Sequence, residues 1–538
     1  FLAPAKPVTD SSKDTTRGAG PGQFAPCACC NQMAGHGQSS VQDHQTKGDQ
    51  PFQALLGSQL RIQPPGPQQQ TSFAPLRGRK VLIFSDSRQV AARLAGTLQN
   101  YSLRDAVRAL LPLGYKILSR DPDFSKTLVL NHAYLSVLVA AHKLGVRLRP
   151  QLGDAETLSE VEGPSPGPSP AGIQLFQLLS SLSRCPQRLM QAISDTFKHT
   201  NMGLDLEALA IATIGEPPQI SSKIVKLPDL PGVAETEEAK LTVCRAWLRC
   251  WTLDPGIWFS DMPDSWWNER VRSHQGVFTA MNRVLVSKQS KSIFKKNWLP
   301  TLLTIFTEQT MGGGHRLVAS KLSLHLNGQW QRCNSCKSVH RPVGTLSRCI
   351  DCESSDVSNF DPALDEVYKA RRGFYRDPIA SALDVEDPQL MTIIAAEHTA
   401  QLGAAQPDEA FSHSERHEIR FQDIDVAWRD KDRPGEPAID VLSSTTTMEV
   451  GIDIGDLSGV ALRNMPPTRA NYQQRAGRAG RRANAVATVV AFGSSDSHDD
   501  HYFTDPEEMI RGNVIDPRLT LENPEITPSS RLPASALS

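Results

Sequence analysis

Nine consecutive residues near the end of the chain, Gln474 to Arg482 (QRAGRAGRR), crowd four guanidinium groups together. On a helix Arg475, Arg478, Arg481 and Arg482 would share a broad face, and Gly477 and Gly480 would keep that face low enough for a large anion to approach. Glycine inside a helix loses about 1 kcal/mol against alanine, a cost that a purely solvated helix has little reason to carry. A solvated basic helix would also mix lysine with glutamate, which this stretch does not. Planar cations of this kind suit phosphate groups, above all those gathering charge in a transition state.

A second set of residues speaks of metal. Cys333 and Cys336 in CNSC, then Cys349 and Cys352 in CIDC, form two CxxC knuckles separated by twelve residues. Each pair can chelate one ion from a tight turn, and four thiolates suit a closed, structural tetrahedral zinc site. Paired disulfides are the weaker alternative on a chain with no secretory character. Cys27, Cys29 and Cys30 in PCACC lack a second pair at ligand spacing, so free thiols are favoured over a zinc site completed by residues elsewhere. The run His498, Asp499, Asp500 and His501 matches no regular coordination spacing and is read as polar surface.

Several elements must position these groups. Val441 to Phe492 alternates strand, glycine-bearing loop, strand, arginine-rich helix and strand, an order that suits a parallel sheet with its loops gathered at one edge. Arg79 to Asn100 opens with the buried strand KVLIF, passes through Ser85-Asp86-Ser87 with Asp86 or Ser87 as helix cap, and continues into an Ala/Leu-rich helix. Met391 to Gln401 reads as a further strand of this sheet, Arg416 to Phe421 as a helix, and Ile439 to Ser443 as the strand that leads into the glycine loop. About 270 residues separate the first strand from these, far more than one connection needs, so an inserted domain is expected. Tyr134 to Leu148, Ala171 to Phe197 and Ala239 to Trp251 read as its helices, with Cys244 and Cys250 as core thiols and Trp258, Trp266 and Trp267 as packing residues. Glu162 to Ala171, with its repeated prolines, is a linker. Residues 1 to about 72 are rich in Gly, Pro, Gln and Ser and read as partly disordered loop, interrupted by a short element at Phe52 to Leu60.

These motifs resemble those of superfamily 2 helicases. QRAGRAGR is similar to their motif VI, TTTMEVGIDIG (Thr445 to Gly455) to motif V, and the segment around Ser85 to motif IV, all on the second RecA-like domain. The resemblance implies an α/β fold: a RecA-like parallel sheet interrupted by a large, mainly helical insertion with a zinc ribbon. It implies Arg478 and Arg481 as arginine fingers on the nucleotide, with Gln474, Gly451 and Asp453 on the ATP side. It implies Ser85, Asp86, Ser87, Thr445 and Arg475 as nucleic-acid contacts, and His398 and Thr399 near the end of a strand that follows motif IV. GRKVLIFSDSRQ with AARLA is similar to the large bacterial helicases of the DISARM phage-defence and DUF1998-associated group. A DUF1998-type protein is then an expected partner, beside single-stranded or duplex DNA.

No GxxxxGK[ST] loop and no DEAD- or DEAH-like acidic box occurs in these 538 residues. The first RecA-like domain is therefore expected on another polypeptide or another part of a longer one, and it would bind most of the ATP and magnesium. The expected organisation is a loop-rich lead-in (1–75), a split RecA-like domain (76–112 and 388–515), a helical insertion (113–325), the ribbon (326–360) and a tail (516–538). The alternatives are a catalytically idle nucleic-acid-binding scaffold and a zinc-ribbon interaction module in a defence or repair complex.

The bulk numbers narrow the class. With 57 Lys and Arg against 58 Asp and Glu, the net charge is −1, so any binding of nucleic acid needs locally clustered cations. Besides the arginines, one cluster qualifies: Lys288, Lys291, Lys295 and Lys296, beside Phe294 and Trp298, which could stack on bases, although a solvated amphipathic helix is the plainer reading. No apolar run reaches membrane-spanning length and the opening FLAPAKPVTDSSKD has no signal-peptide core, so a cytoplasmic location is expected.

Overall fold

The computed structural model describes residues 50–66, 76–122, 124–144, 185–198, 204–252, 281–309, 314–384, 390–398, 413–424, 438–445, 457–480, 487–494 and 496–511, with 146, 148, 448, 449 and 455. Cys27, Cys29, Cys30, Trp258, Trp266, Trp267, Thr399, Gly451, Asp453, Arg481 and Arg482 lie outside the described residues.

Five short strands form one parallel sheet: β1 (Val81–Phe84), β2 (Ala395–His398), β3 (Val441–Ser444), β4 (Gly459–Leu462) and β5 (Thr488–Ala491). Their spatial order is β5-β4-β1-β3-β2, and every neighbouring pair is parallel. β1, β3 and β4 are buried throughout, as strands covered on both faces are, although β3 ends on the serines Ser443 and Ser444. Because all five point the same way, the loops that follow them emerge along one edge, where chemistry on such sheets belongs.

Two helices cover one face of the sheet, while the helix His413–Phe421 lays Phe421 against the other. The first, α1 (Gln50–Ile62), turns Phe52, Leu56 and Leu60 into the core beside Val81 and Val441, and Gln59 Nε2 donates to the Val460 carbonyl (2.9 Å). The sequence offers only a short element inside a loop-rich lead-in here, yet the helix is a structural part of the sheet. Its apolar spacing of four is diluted by glutamine and glycine, and the partner that justifies it lies about 400 residues away.

The second, α2 (Arg88–Ser119), starts at Ser87 and runs for 32 residues, with Pro112 inside it. The expected boundary at 112 therefore falls within a helix. Its first half packs on the sheet, and its second half, from Leu103, enters the core of the insertion. One continuous helix thus carries the sheet into the inserted body. The body adds the helices Ala133–Leu144, Gln187–Asp195 and Glu237–Thr252, with Trp247 and Trp251 fully buried edge to face at 5.6 Å. Cys244 and Cys250 are buried core thiols. Gly114 lies so close to the helix Ala133–Leu144 that a Cβ there would sit 1.8 Å from the Ser136 carbonyl oxygen.

Gly114→Val should therefore force the two helices apart and cost about 2 kcal/mol or more. Thermal melting of the variant checks this; an unchanged transition would mean that the helices do not approach as closely as described.

Candidate ATP-side edge and four-cysteine ribbon

At the strand-end edge, three loops meet around one guanidinium. Arg475 is 1% exposed. Its Nη2 donates to Asp86 Oδ1 at 2.9 Å, its Nε to Glu449 Oε1, and its Cζ stands 5.6 Å from the centre of the Phe84 ring. Asp86 follows β1, Glu449 follows β3, and Arg475 lies on α3 (Arg469–Ala476), which follows β4. The resemblance makes Arg475 a nucleic-acid contact; the fold places it between two carboxylates, because the loop after β3 brings an acid that spacing alone does not reveal.

Glu449 is the residue that sequence reasoning missed. It accepts from Arg475 and from Asn471 Nδ2 (3.2 Å) through its carboxylate, while its backbone carbonyl takes Arg478 Nη2 at 2.7 Å. The available signal was a lone acid inside the hydroxyl-rich TTTMEVG, opposite an arginine-rich helix.

The arginine helix is shorter than expected. α3 is capped by the Thr468 side chain, ends at Ala476 with Gly477 as its C-cap, and continues into a turn in which Gly480 takes φ +79°. The two glycines therefore terminate the helix, which is the common use of glycine, and do not sit in its interior. Arg478 lies in that turn and is 4% exposed, Gln474 is exposed, and the Gly480 amide donates to the Leu457 carbonyl at 2.9 Å.

The other expected contacts fall as follows. Ser85 is buried, its hydroxyl donating to the Ser87 carbonyl (3.3 Å). Ser87 is exposed at the start of α2, and its side chain makes no capping bond. Thr445 is buried directly beyond β3. His398, at the end of β2, holds Glu418 through Nε2 at 2.7 Å. In the HDDH run Asp499 is buried and accepts from the Met465 and Ser494 amides (3.2 and 2.6 Å), so it shapes the loop after β5. Among the described residues only the four ribbon cysteines group as a possible metal site.

Those cysteines sit on a three-stranded antiparallel sheet (Trp330–Cys333, Val339–His340 and Val357–Phe360). The two knuckles are built alike. Lys337 and Glu353, each directly after a second cysteine, take φ +62° and +63° and donate their amides to the Cys333 and Cys349 carbonyls at 2.9 and 3.0 Å. All four sulfurs lie within 4.8 Å of one another, with Cys333 to Cys352 at 3.5 Å and Cys336 to Cys349 at 3.6 Å. Thiolates about 2.3 Å from a tetrahedral zinc stand about 3.8 Å apart, so the set fits that ion closely. The hydrogen bond between Cys336 and Cys349 pushes the Cys336 thiol up and holds Cys349 far below the usual thiol range.

Asp351, inside the second knuckle, receives Arg249 Nη1 and Nη2 at 2.8 and 3.0 Å, and Arg249 Nε also lies 2.8 Å from Glu207. Burial works against the Arg249 charge, but the two carboxylates outweigh it and hold its pKa well above the ordinary value. The ribbon is thereby locked to the helix Glu237–Thr252.

Residues 428–483 match the helicase conserved C-terminal domain. The five-stranded parallel sheet and this match make the chain similar to the second RecA-like domain of superfamily 2 helicases. Over 544 residues it is 33% identical to the Druantia protein DruE of Escherichia coli (strain UMEA 4076-1), which covers 94% of this chain and 27% of that protein. A 71-residue stretch is 45% identical to the ATP-dependent helicase HRQ1 of Saccharomyces cerevisiae, covering 13% of this chain and 6% of HRQ1. The crystal structure of the DUF1998 helicase MrfA bound to DNA matches 28% of this chain and 18% of its own at 23% identity, with a TM-score of 0.19 that supports no structural argument. The chain thus spans about a quarter of the length of DruE. Among the described residues no helix is long and apolar enough to cross a membrane.

Two outcomes are expected. Arg475→Met strands Glu449 and should cost about 3 kcal/mol or more, whereas the double variant Arg475→Met/Glu449→Gln should recover part of the loss; urea unfolding of the single and double variants decides it, and strict additivity would mean the pair does not interact. Cys336→Ser should lose its zinc and melt earlier than the parent, as measured by metal content and calorimetry, and full retention of the metal would refute the site.

Proposed function

We propose that this chain is the second RecA-like part, with its insertion, of an ATP-dependent DNA helicase or translocase that acts in bacterial phage defence. The observation that carries the reading is the buried guanidinium of Arg475 tying the motif IV, V and VI loops into one edge, with Arg478 held beside it by the Glu449 carbonyl. In this reading Arg478 and Arg481 act as fingers on the phosphates of ATP bound with magnesium by a first RecA-like domain outside this chain. A rigid planar cation delivered across a cleft stabilises the spread charge of phosphoryl transfer. Gln474, Gly451 and Asp453 serve the nucleotide, and Ser85, Asp86, Ser87 and Thr445 serve the strand, Asp86 through its grip on Arg475. ATP-driven closing and opening of the cleft would shift the grip along one strand.

The long match to DruE supports a defence role of the Druantia kind, in place of the DISARM placement expected from the first strand and helix alone. A DUF1998-type partner remains part of the proposal. The zinc ribbon, locked to the helical body by Arg249, serves as a structural module, with zinc holding the two knuckles together.

The test mixes this chain with a polypeptide carrying the Walker-type half and measures DNA-stimulated ATP turnover. Turnover should appear only on mixing, and Arg478→Ala should lower it by about 1,000-fold or more while leaving assembly intact. Assembly and DNA binding without turnover would move the function to the idle scaffold.

A further inference from the structure

The lysine-rich segment of the insertion has no part in the edge described above. From residue 282 to 307 the chain contains no aspartate or glutamate, yet it carries Arg283, Lys288, Lys291, Lys295 and Lys296. On a protein whose charges otherwise balance, such a stretch is unusual, and a merely solvated helix would mix signs. Among the described residues none of the four lysines takes part in an ion pair. Lys288, Lys295 and Lys296 are exposed, and Lys291 is half-buried.

The backbone beneath these lysines is rigid. Helix Lys288–Ile293 is capped by Ser287, continues through a π-helical turn at Phe294–Trp298 and runs on as Leu299–Phe306. Phe294, Trp298, Leu302 and Phe306 are fully buried beneath it. Ser290 Oγ donates to the Pro231 carbonyl (2.8 Å) and Trp298 Nε1 to the Pro228 carbonyl (2.9 Å). Arg283, just before the helix, donates to the Asp351 carbonyl of the zinc knuckle at 2.7 Å, and Arg348 of the ribbon reaches back to the Arg283 carbonyl at 2.9 Å. The lysines therefore project from a fixed rail joined to the ribbon.

The geometry points to this rail as a second nucleic-acid site that holds the phosphate backbone of duplex DNA without reading its sequence. Lys288 and Lys291 follow the i, i+3 spacing of one helix face, Lys295 follows one turn on in the π-helical segment, and the three span about 10 Å of helix axis. Phosphates on one strand of duplex DNA recur about every 3.4 Å along its axis, so this length matches roughly three of them. The two aromatic side chains that could have stacked on unpaired bases, Phe294 and Trp298, are spent in the core, stacked on each other at 5.9 Å. Among the described residues of the rail, charge and hydroxyl groups stand without an exposed ring, which suits a duplex backbone better than a single strand. The site rests on the helicase reading only for its choice of DNA as the occupant.

The test uses the whole chain and the triple variant Lys288→Gln/Lys291→Gln/Lys295→Gln. Binding to a blunt duplex of mixed sequence and to a single strand is measured across a salt series. The variant should bind the duplex at least about tenfold more weakly at low salt, and its log–log salt slope should be shallower by about 2.7, since each lost phosphate contact removes about 0.9. Single-strand binding, zinc content and melting should stay as in the parent. A folded variant with an unchanged duplex slope would overturn the site, as would equal competition from polyglutamate and duplex DNA in the parent. ATP turnover on mixing with the Walker-type half is read separately: its absence with the parent chain counts against the motor, whereas the slope counts only for or against the rail.

Discussion

Everything at the functional edge depends on one buried charge. Arg475 would be costly to hold away from water alone, and it is tolerable because Asp86 and Glu449 reach it from two other loops. That requirement makes the three loops interdependent: if any one moves, a charge is stranded in a low-dielectric site. The five parallel strands supply the directionality that lets the loops meet, since β1, β3 and β4 are adjacent and all end on the same side. Arg478 and the glycine turn that bears it then inherit their position from this junction, through the Glu449 and Leu457 carbonyls.

The same economy governs the insertion. It does not hang from a flexible tether, because α2 passes without interruption from the sheet into the inserted core. At the far end Arg249 joins the ribbon to the helical body, again a buried cation between two acids, Asp351 and Glu207. One long helix thus joins the inserted body to the sheet, and one charged junction joins the ribbon to that body.

Much of this was legible in the sequence where local chemistry is strong. The two CxxC knuckles need only short-range turns, and the described geometry agrees with their spacing. The strand KVLIF and the helix behind it declare themselves by apolar content, and Cys244 and Cys250 are the core thiols expected of the helix that bears them. Elsewhere local signals misled. Gly477 and Gly480 looked like a lowered helix face and are helix terminators. Phe294 and Trp298 looked available for bases and are core. Helix α1 looked peripheral because its apolar face is weak until β4 and β5 stand against it.

The sequence by itself determined the residue chemistry, most of the strands and helices, the four-cysteine set that fits zinc and the resemblance to superfamily 2, because each of these rests on types and spacings within a few tens of residues. Only the tertiary structure decided which partners each arginine takes. Arg475 and Arg478 are three residues apart and chemically identical, yet one lies between Asp86, 389 positions away, and the Glu449 carboxylate, while the other sits buried on a turn and donates to the Glu449 backbone carbonyl. Partners at that separation are chosen by the register of a folded sheet, and electrostatic cost in a buried site depends on those partners more than on the residue itself.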